Sequence, residues 1–159
     1  MHFQQFYPTP LGILKITEED GFITEVSIEK NNITVNEQKS SPLLEKACVQ
    51  LGEYFAGKRK SFDLPIKMHG TIFQKQVWQE LLRIPYGETL SYQDIAVAVG
   101  NPKAVRAVGQ ANNKNRIIIL IPCHRIINKS GALGGFSCGT NIKTFLLNLE
   151  KSNIDNKYK

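Results

Sequence analysis

Long apolar runs, clustered metal ligands and paired cysteines are all missing from this chain of 159 residues. No stretch approaches the ~18 apolar residues of a membrane span, and the opening "MHFQQFYPTPLG" has neither a basic n-region nor an apolar h-region. A spanning helix is therefore not expected, and the expected location is cytoplasmic. The three cysteines, Cys48, Cys123 and Cys138, stand at unrelated spacings without a CxxC pair, and the only histidines are His2, His69 and His124. That pattern argues against a disulfide framework and against a metal site. Each thiol must then be judged alone. Cys48 recurs with Leu44, Ala47, Leu51 and Phe55 at helical spacing and reads as core, whereas Cys138, in the glycine-rich "GGFSCGT", reads as a loop residue.

A further absence is local. Between Asp94 and Glu150 there is no acidic residue, while Lys103, Arg106, Lys114, Arg116, Arg125, Lys129 and Lys143 all fall inside that segment. The net charge is +6, so the remainder of the chain is close to neutral and the whole excess belongs to one stretch. Such asymmetry points to a polyanionic partner, most simply nucleic acid; the competing reading is a solvated basic face that only aids solubility.

What is present is one ordinary domain or two small ones, with an apolar share of 42% that can build a core. No internal repeat or low-complexity tract occurs. The first part reads as β-rich: apolar and polar residues alternate on both sides of "EEDG", predicting a hairpin between Leu11 to Thr17 and Phe22 to Ile28. A polar loop follows from about Glu29 to Ser40. Ser40 or Ser41 caps a helix with Pro42 in its first turn, ending near Gly57. "KRKSFDLPIKMHG" reads as a short strand and a connector, with a boundary near residues 66 to 70.

The second part reads as mainly helical. Phe73, Val77, Leu81 and Ile84 form one stripe, stopped by Pro85 and Gly87. Ser91, three residues before Asp94, opens a helix with a capping box and Gly100 closes it. Asn101 then caps a second helix with Pro102 at its first position. Residues 91 to 112 thus form a helix-turn-helix candidate. Lys103 and Arg106 are the only charges of that second helix, and Ala104, Ala107, Gly109 and Ala111 keep it narrow enough for its backbone to approach a groove. Its N-terminal end can hold a phosphate. The competing reading is tight packing of one helix on another.

Between these features lies "RIIILIPCHR". The β-branched run reads as a fully buried strand ended by Pro122, delivering Cys123 at the lip of the core. Thiolate is the reactive form of cysteine, and adjacent cationic or hydrogen-bonding groups favour it; His124 and Arg125 are the nearby candidates. On an extended backbone neighbours face opposite sides, so His124 would need a bridging water or a local bend to act on Cys123. The plain alternative is a structural cysteine beside a surface histidine. Gly131, Gly134, Gly135 and Gly139 downstream make a shaped loop suited to a planar ligand.

The segment "IPCHRIINKSGALGGFSCGTNIKTFLLNLE", preceded by "PYGETLSYQDIAVAVGNPKAVRAVGQANNKN", resembles the O6-alkylguanine-DNA alkyltransferases over about residues 70 to 150. The resemblance implies an α/β (α+β) fold: a small N-terminal ribonuclease-H-like subdomain of sheet and helix over residues 1–68, and a mainly helical, winged-helix-like subdomain over 69–152. A flexible tail over 153–159 completes the expected organisation. The resemblance also implies that Cys123 accepts a methyl or small alkyl group irreversibly from O6-alkylguanine in double-stranded DNA, once per molecule. His124, through a water and oriented by Glu150, would generate the thiolate. Asn115 would be the hinge tying the recognition helix to the active-site segment, and Tyr92 would help rotate the nucleotide and hydrogen-bond the flipped guanine. Main-chain groups near Ile126 and Ser137 would read the base edges beside an apolar wall from Phe136. Arg106 would fill the space left by the extruded base, with Lys103, Ala107 and Gly109 beside it on the DNA.

The same resemblance implies a monomer with no cofactor, no membrane and no obligate protein partner; some members hold zinc, but the N-terminal part here offers only Cys48 with His2 and His69, so no metal is expected. Two departures from the family pattern stand out: Arg116 follows Asn115 where proline is common, and Phe136 replaces a common tyrosine. Two other functional classes use the same residues differently. One is a non-catalytic lesion-binding or regulatory protein; the other is a cysteine hydrolase with Cys123, His124 and Glu150 as a triad. Adjacent cysteine and histidine fit the direct thiol–imidazole contact of a hydrolase poorly.

Overall fold

The computed structural model describes residues 2–30 and 38–155, so the middle of the Glu29–Ser40 loop and the end of the expected tail lie outside the described residues. The chain forms two compact units. One comprises Met1–His69 with Arg116–Ile118, and the other Gly70–Asn115 with Ile119–Lys159.

In the N-terminal unit, strands β1 (His2–Thr9), β2 (Gly12–Glu19) and β3 (Phe22–Ile28) form an antiparallel sheet in the order β1-β2-β3. The β2–β3 turn is built by Asp20 at φ 52 and Gly21 at φ 88. Left-handed backbone at both central positions matches the twist of the flanking strands, which is why Asp-Gly suits a two-residue hairpin. Leu14 and Ile16 from β2 and Ile23 and Val26 from β3 are fully buried. Helix α1 (Pro42–Phe55) packs against β1 and β2; its first turn is capped by Ser41, whose side chain accepts from the Leu44 amide at 3.1 Å. Cys48 lies on the buried face with Leu44, Ala47 and Leu51, as the periodicity predicts. β1 was not anticipated from the alternation pattern. The strand expected within "KRKSFDLPIKMHG" is reduced to a single bridge between Ile23 and Ile66.

The C-terminal unit is helical, with α2 (Ile72–Leu81), α3 (Tyr92–Ala98), α4 (Val105–Asn113) and α5 (Thr140–Asp155). Ser91 and Asp94 form the expected capping box at α3, and Thr71 with Gln74 form another at α2. The α2 helix packs on α3 and α4, and the Trp78 indole N–H donates to the Ala111 carbonyl at 2.9 Å. A two-residue parallel pair, β4 (Leu90–Ser91) with β5 (Ile126–Ile127), completes it. Among the described residues no helix is long and apolar enough to cross a membrane.

Two expectations are corrected here. The helix expected from Asn101 begins at Val105, with Ala104 at its cap and no side-chain cap bond. Asn101 is spent elsewhere: its amide closes α3 on the Ala96 carbonyl at 3.0 Å, beside a Gly100 contact to Val97, and its own carbonyl accepts from Ala104. This is the terminating geometry that a left-handed glycine permits, and it leaves Pro102 and Lys103 in the turn. The second correction concerns "RIIILIP", which is buried throughout Ile117–Ile121 but is not a strand. The Arg116 carbonyl and Ile118 amide bond to Val26 at 2.9 and 3.0 Å, and Ile119 then turns the chain at φ 72. Left-handed backbone costs a β-branched residue about 1–3 kcal/mol, which the burial of Ile119 holds in place.

Candidate active site

Cys123, His124 and Arg125 occupy one turn of 3₁₀ helix opened by Pro122 at φ −79. The extended backbone expected there is absent, because the Arg125 amide turns back to the Pro122 carbonyl at 3.0 Å and that of Cys123 to Ile121 at 2.8 Å. The chain is therefore bent at His124.

From this turn two side chains reach one carboxylate. His124 Nε2 lies 2.6 Å from Glu150 Oε2, Arg125 Nε donates to Oε1 at 2.8 Å, and Arg125 Nη2 donates to Oε2 at 3.0 Å. The Gly87 amide adds a contact to Oε1 at 3.0 Å, and Arg125 Nη1 donates to the Ile84 carbonyl at 2.7 Å. Gly87 is held at φ 79, and a Cβ there would overlap the Ile154 side chain. Glu150, on α5, is 1% exposed. Burial alone would raise its pKa, but the contacts from His124 and Arg125 win and hold it down at about 2. Burial lowers the pKa of His124, partly opposed by Glu150. At neutral pH the imidazole is therefore neutral. Its Nε2–H points at the carboxylate, which leaves Nδ1 as an acceptor.

The thiol is equally enclosed. Cys123 is 1% exposed, and burial pushes its pKa up to about 12 although the Asn115 side chain and Lys143 favour the thiolate. Asn115 Nδ2 also donates to the Ile121 carbonyl at 2.9 Å. It thus ties the residues after α4 to the segment carrying the cysteine. Asn112, one turn earlier on α4, donates from Nδ2 to the Cys123 carbonyl at 3.3 Å.

The loop after Leu133 is fastened from two sides. Lys143, fully buried on α5, donates from Nζ to the Leu133 carbonyl and, at 3.5 Å, to that of Gly135, with its charge 5.8 Å from the Tyr92 ring centre and 5.9 Å from that of Phe136. Burial pushes its pKa down to about 8. Tyr92 donates from Oη to the Gly135 carbonyl at 3.4 Å. Gly134, at φ 72, has no room for a Cβ, which would stand 2.9 Å from that hydroxyl oxygen.

The structure thus gathers Cys123, His124, Glu150, Asn115, Tyr92 and Phe136 within the C-terminal unit. Phe136 is buried and Ser137 exposed, while Ile126 is committed to β5, where it pairs with Leu90. Arg106 is exposed in the first turn of α4, Lys103 is exposed in the preceding turn, and Ala107 and Gly109 are half-buried. Arg125 and Lys143 point inward, so the basic surface is smaller than the acid-free segment suggested. Sequence reasoning did not find the Arg125–Glu150 clamp, Lys143 or Asn112. A signal for the clamp existed, since Glu150 is the first carboxylate after Asp94 and Arg125 stands midway in that gap.

A buried thiol followed in the same turn by an imidazole locked to a carboxylate, in the same unit as a helix-turn-helix bearing an exposed arginine, fits a nucleic-acid-directed protein with a cysteine at its site. A family model described as the 6-O-methylguanine DNA methyltransferase DNA binding domain matches residues 72–152, and one for the ribonuclease-like domain of the same proteins matches residues 3–68. The constitutive methylated-DNA–protein-cysteine methyltransferase of Bacillus subtilis is 50% identical over 165 residues, covering 99% of this chain and 100% of that protein. The crystal structure of Mycobacterium tuberculosis O6-methylguanine methyltransferase is similar at TM-score 0.87 and 40% identity, covering 96% of this chain and 94% of that one. A structure of Mycobacterium tuberculosis OGT in complex with DNA is similar at TM-score 0.86 and 41% identity, covering 94% and 93%. The chain belongs to the 6-O-methylguanine DNA methyltransferase family, and its activity is DNA repair by transfer of an alkyl group to a protein cysteine.

Proposed function

We propose that Cys123 is the alkyl acceptor, that His124 is the base that prepares it through a water, and that Glu150 orients and charges that base. The observation that carries this reading is the His124–Glu150–Arg125 lock on the turn that Cys123 opens. A thiol held near 12 by burial is protonated at rest, so thiolate must be made where it is used. Neutral His124 takes the proton, and the ionised Glu150 stabilises the imidazolium that forms.

An alkyl group on guanine O6 lies inside the base stack, so the nucleotide must be extruded at a cost of a few kcal/mol. Arg106 fills the space left behind, and the exposed Lys103 and the half-buried Ala107 and Gly109 lie along the same approach. The Cys123 thiolate attacks the alkyl carbon in line; the S–C bond forms, the C–O6 bond breaks, and the electron pair leaves with guanine. Tyr92 shares its proton with that leaving group, Phe136 walls the pocket, and main-chain groups near Ile126 and Ser137 read the base. The product is a thioether with no good leaving group, so each molecule acts once. The reading takes the protein as a cytoplasmic monomer that acts on double-stranded DNA without a cofactor.

Intact mass measurement after incubation with duplex DNA containing O6-methylguanine tests this directly. One added CH2 per chain, mapped to Cys123 and absent from Cys123→Ala, is the expected result. An unchanged mass in folded wild-type protein that still binds the lesion would favour lesion binding without transfer.

A further inference from the structure

Among the described residues only two buried side-chain polar atoms have no hydrogen-bond partner, Asn112 Oδ1 and His124 Nδ1. Buried polar groups are almost always satisfied, and an internal water is the usual means where protein atoms do not serve. Both orphans belong to residues joined to Cys123: His124 follows it in the turn, and Asn112 donates from Nδ2 to its carbonyl at 3.3 Å. The orientation of the Asn112 amide is fixed by that contact, because a carbonyl accepts only from the NH2 end, and Oδ1 is then the free end. The tautomer of His124 is fixed in the same way by Glu150, 2.6 Å from Nε2. Both orphans are consequently acceptors. Neither can satisfy the other; a water, with two hydrogens to donate, is the group whose chemistry suits both.

We infer that Asn112 is a positioning residue for proton removal from Cys123: its Oδ1 holds, together with His124 Nδ1, the water through which the thiol proton leaves. The water donates one hydrogen to each orphan and accepts the Cys123 S–H through a lone pair. As the thiol proton passes to the water, the hydrogen facing His124 passes to Nδ1. The result is a thiolate, an imidazolium and an unchanged water. Without Asn112 that water loses one of its two protein acceptors and its orientation toward the thiol. The inference rests on His124 as base to Cys123 and adds a residue from α4, the helix that also carries Arg106. The other titratable groups bearing on the pair are Tyr92 from α3, Lys143 and Glu150 from α5, Cys138 from the loop and Arg125 from the turn; substitution of Asn112 leaves all of them in place.

The test is the pH profile of Cys123 carboxamidomethylation by iodoacetamide, read by peptide mass in wild type and Asn112→Leu. The expected result is a roughly tenfold or greater slowing near pH 7 that shrinks as the pH rises, because hydroxide then removes the proton without the relay; a tenfold change corresponds to one pH unit in the midpoint. A loss of equal factor at every pH, or an unchanged profile, would overturn the inference, since a merely structural contact has no pH dependence. Asn112→Ser is the second variant: its hydroxyl and freed volume admit the water but do not reach the Cys123 carbonyl. It should keep a near wild-type profile, and if it slows as Asn112→Leu does, the carbonyl contact is what Asn112 supplies and the inference fails. Iodoacetamide requires no DNA. A wild type that fails to take up methyl from DNA would therefore sink the acceptor reading while leaving this profile legible.

Discussion

Cys48 and Cys123 are both buried free thiols, one in each unit, and they differ in almost everything except burial. Burial raises Cys48 to about 11, with Glu45 raising it further in the same direction, and raises Cys123 to about 12 against Asn115 and Lys143, which favour thiolate. The more enclosed thiol is the one with side chains beside it that favour its charged form. Around Cys48 stand Leu44, Ala47 and Leu51, fully buried on one helical face; around Cys123 stand the amides of Asn112 and Asn115 and the ammonium of Lys143. Burial by itself therefore makes a cysteine inert, and reactivity comes from polar groups placed to take its proton and to receive a charge. The buried polar contacts of the N-terminal unit, such as Ser41 with Glu18 and Gln50 with the Asp63 backbone, fasten helix to sheet and loop. Those of the C-terminal unit include the Glu150 lock on the turn that carries Cys123 and the Asn112 contact to its carbonyl.

The sharpest way to erase that difference is Glu150→Gln. The change strips His124 of its anionic partner and leaves Arg125 buried without one. Methyl transfer should fall about 10²- to 10⁴-fold, the range for loss of general-base assistance, and stability should drop by about 3–5 kcal/mol, the cost of breaking a buried ion pair on one side. Single-turnover kinetics and denaturant titration read the two separately. Stability against pH supplies a further readout. Glu150 takes up a proton near 4.5 when unfolded and near 2 when folded, so the unfolded chain binds more protons between those values and stability falls as the pH drops through them. His124, with its pKa lowered by burial from 6.5, adds a loss of the same sign below about 6.5. Glu150→Gln should lack the contribution between 4.5 and 2; a wild-type curve flat over that window would contradict the charge lock.

The two thiols also differ in how legible they were. Cys48 was placed by local periodicity alone. Cys123 and His124 came from their chemistry and from a family pattern, Glu150 from the family pattern alone, and the caps Ser41 and Ser91 were readable because capping is local. What escaped depends on contacts distant in sequence. Arg125 and Glu150 stand 25 residues apart, and the inward turn of Lys143 reflects loop carbonyls that no periodicity announces. "RIIILIP" reads as a strand since β-branched residues favour extension, yet the chain bonds to Val26 and then reverses at Ile119, a position the composition disfavours. Asn101 misled because an asparagine before a proline suits a helix start, whereas its amide was already committed to closing α3.

Arg106→Ala probes the C-terminal unit at the exposed start of α4, the proposed DNA contact, and its effect should be smaller than that of Glu150→Gln. Transfer from duplex lesions should slow about tenfold, equivalent to ~1.4 kcal/mol, while transfer from the free O6-methylguanine base stays unchanged, because only a duplex needs its gap filled. If Arg106 also meets a phosphate, the log–log salt slope of duplex binding should lessen by about 1. Equal slowing on free base and duplex would show that Arg106 supports the thiol site instead of the helix.

The smallest effect on transfer should come from Cys48→Ser, which tests whether burial alone matters. The substitution keeps the size of the side chain and places a hydroxyl against Leu44, Ala47 and Leu51. An uncompensated buried hydroxyl costs about 1–3 kcal/mol on mutational scales, although an i−4 carbonyl on α1 can relieve part of that by accepting the hydrogen. The denaturation midpoint should fall accordingly, with methyl uptake still one per chain and its rate unchanged. Peptide mapping should find the methyl on Cys123 in wild type and variant alike, since burial and Glu45 both disfavour the Cys48 thiolate. A methylated Cys48 peptide in the wild type would mean that a core thiol can react despite both, and the contrast drawn between the two cysteines would collapse.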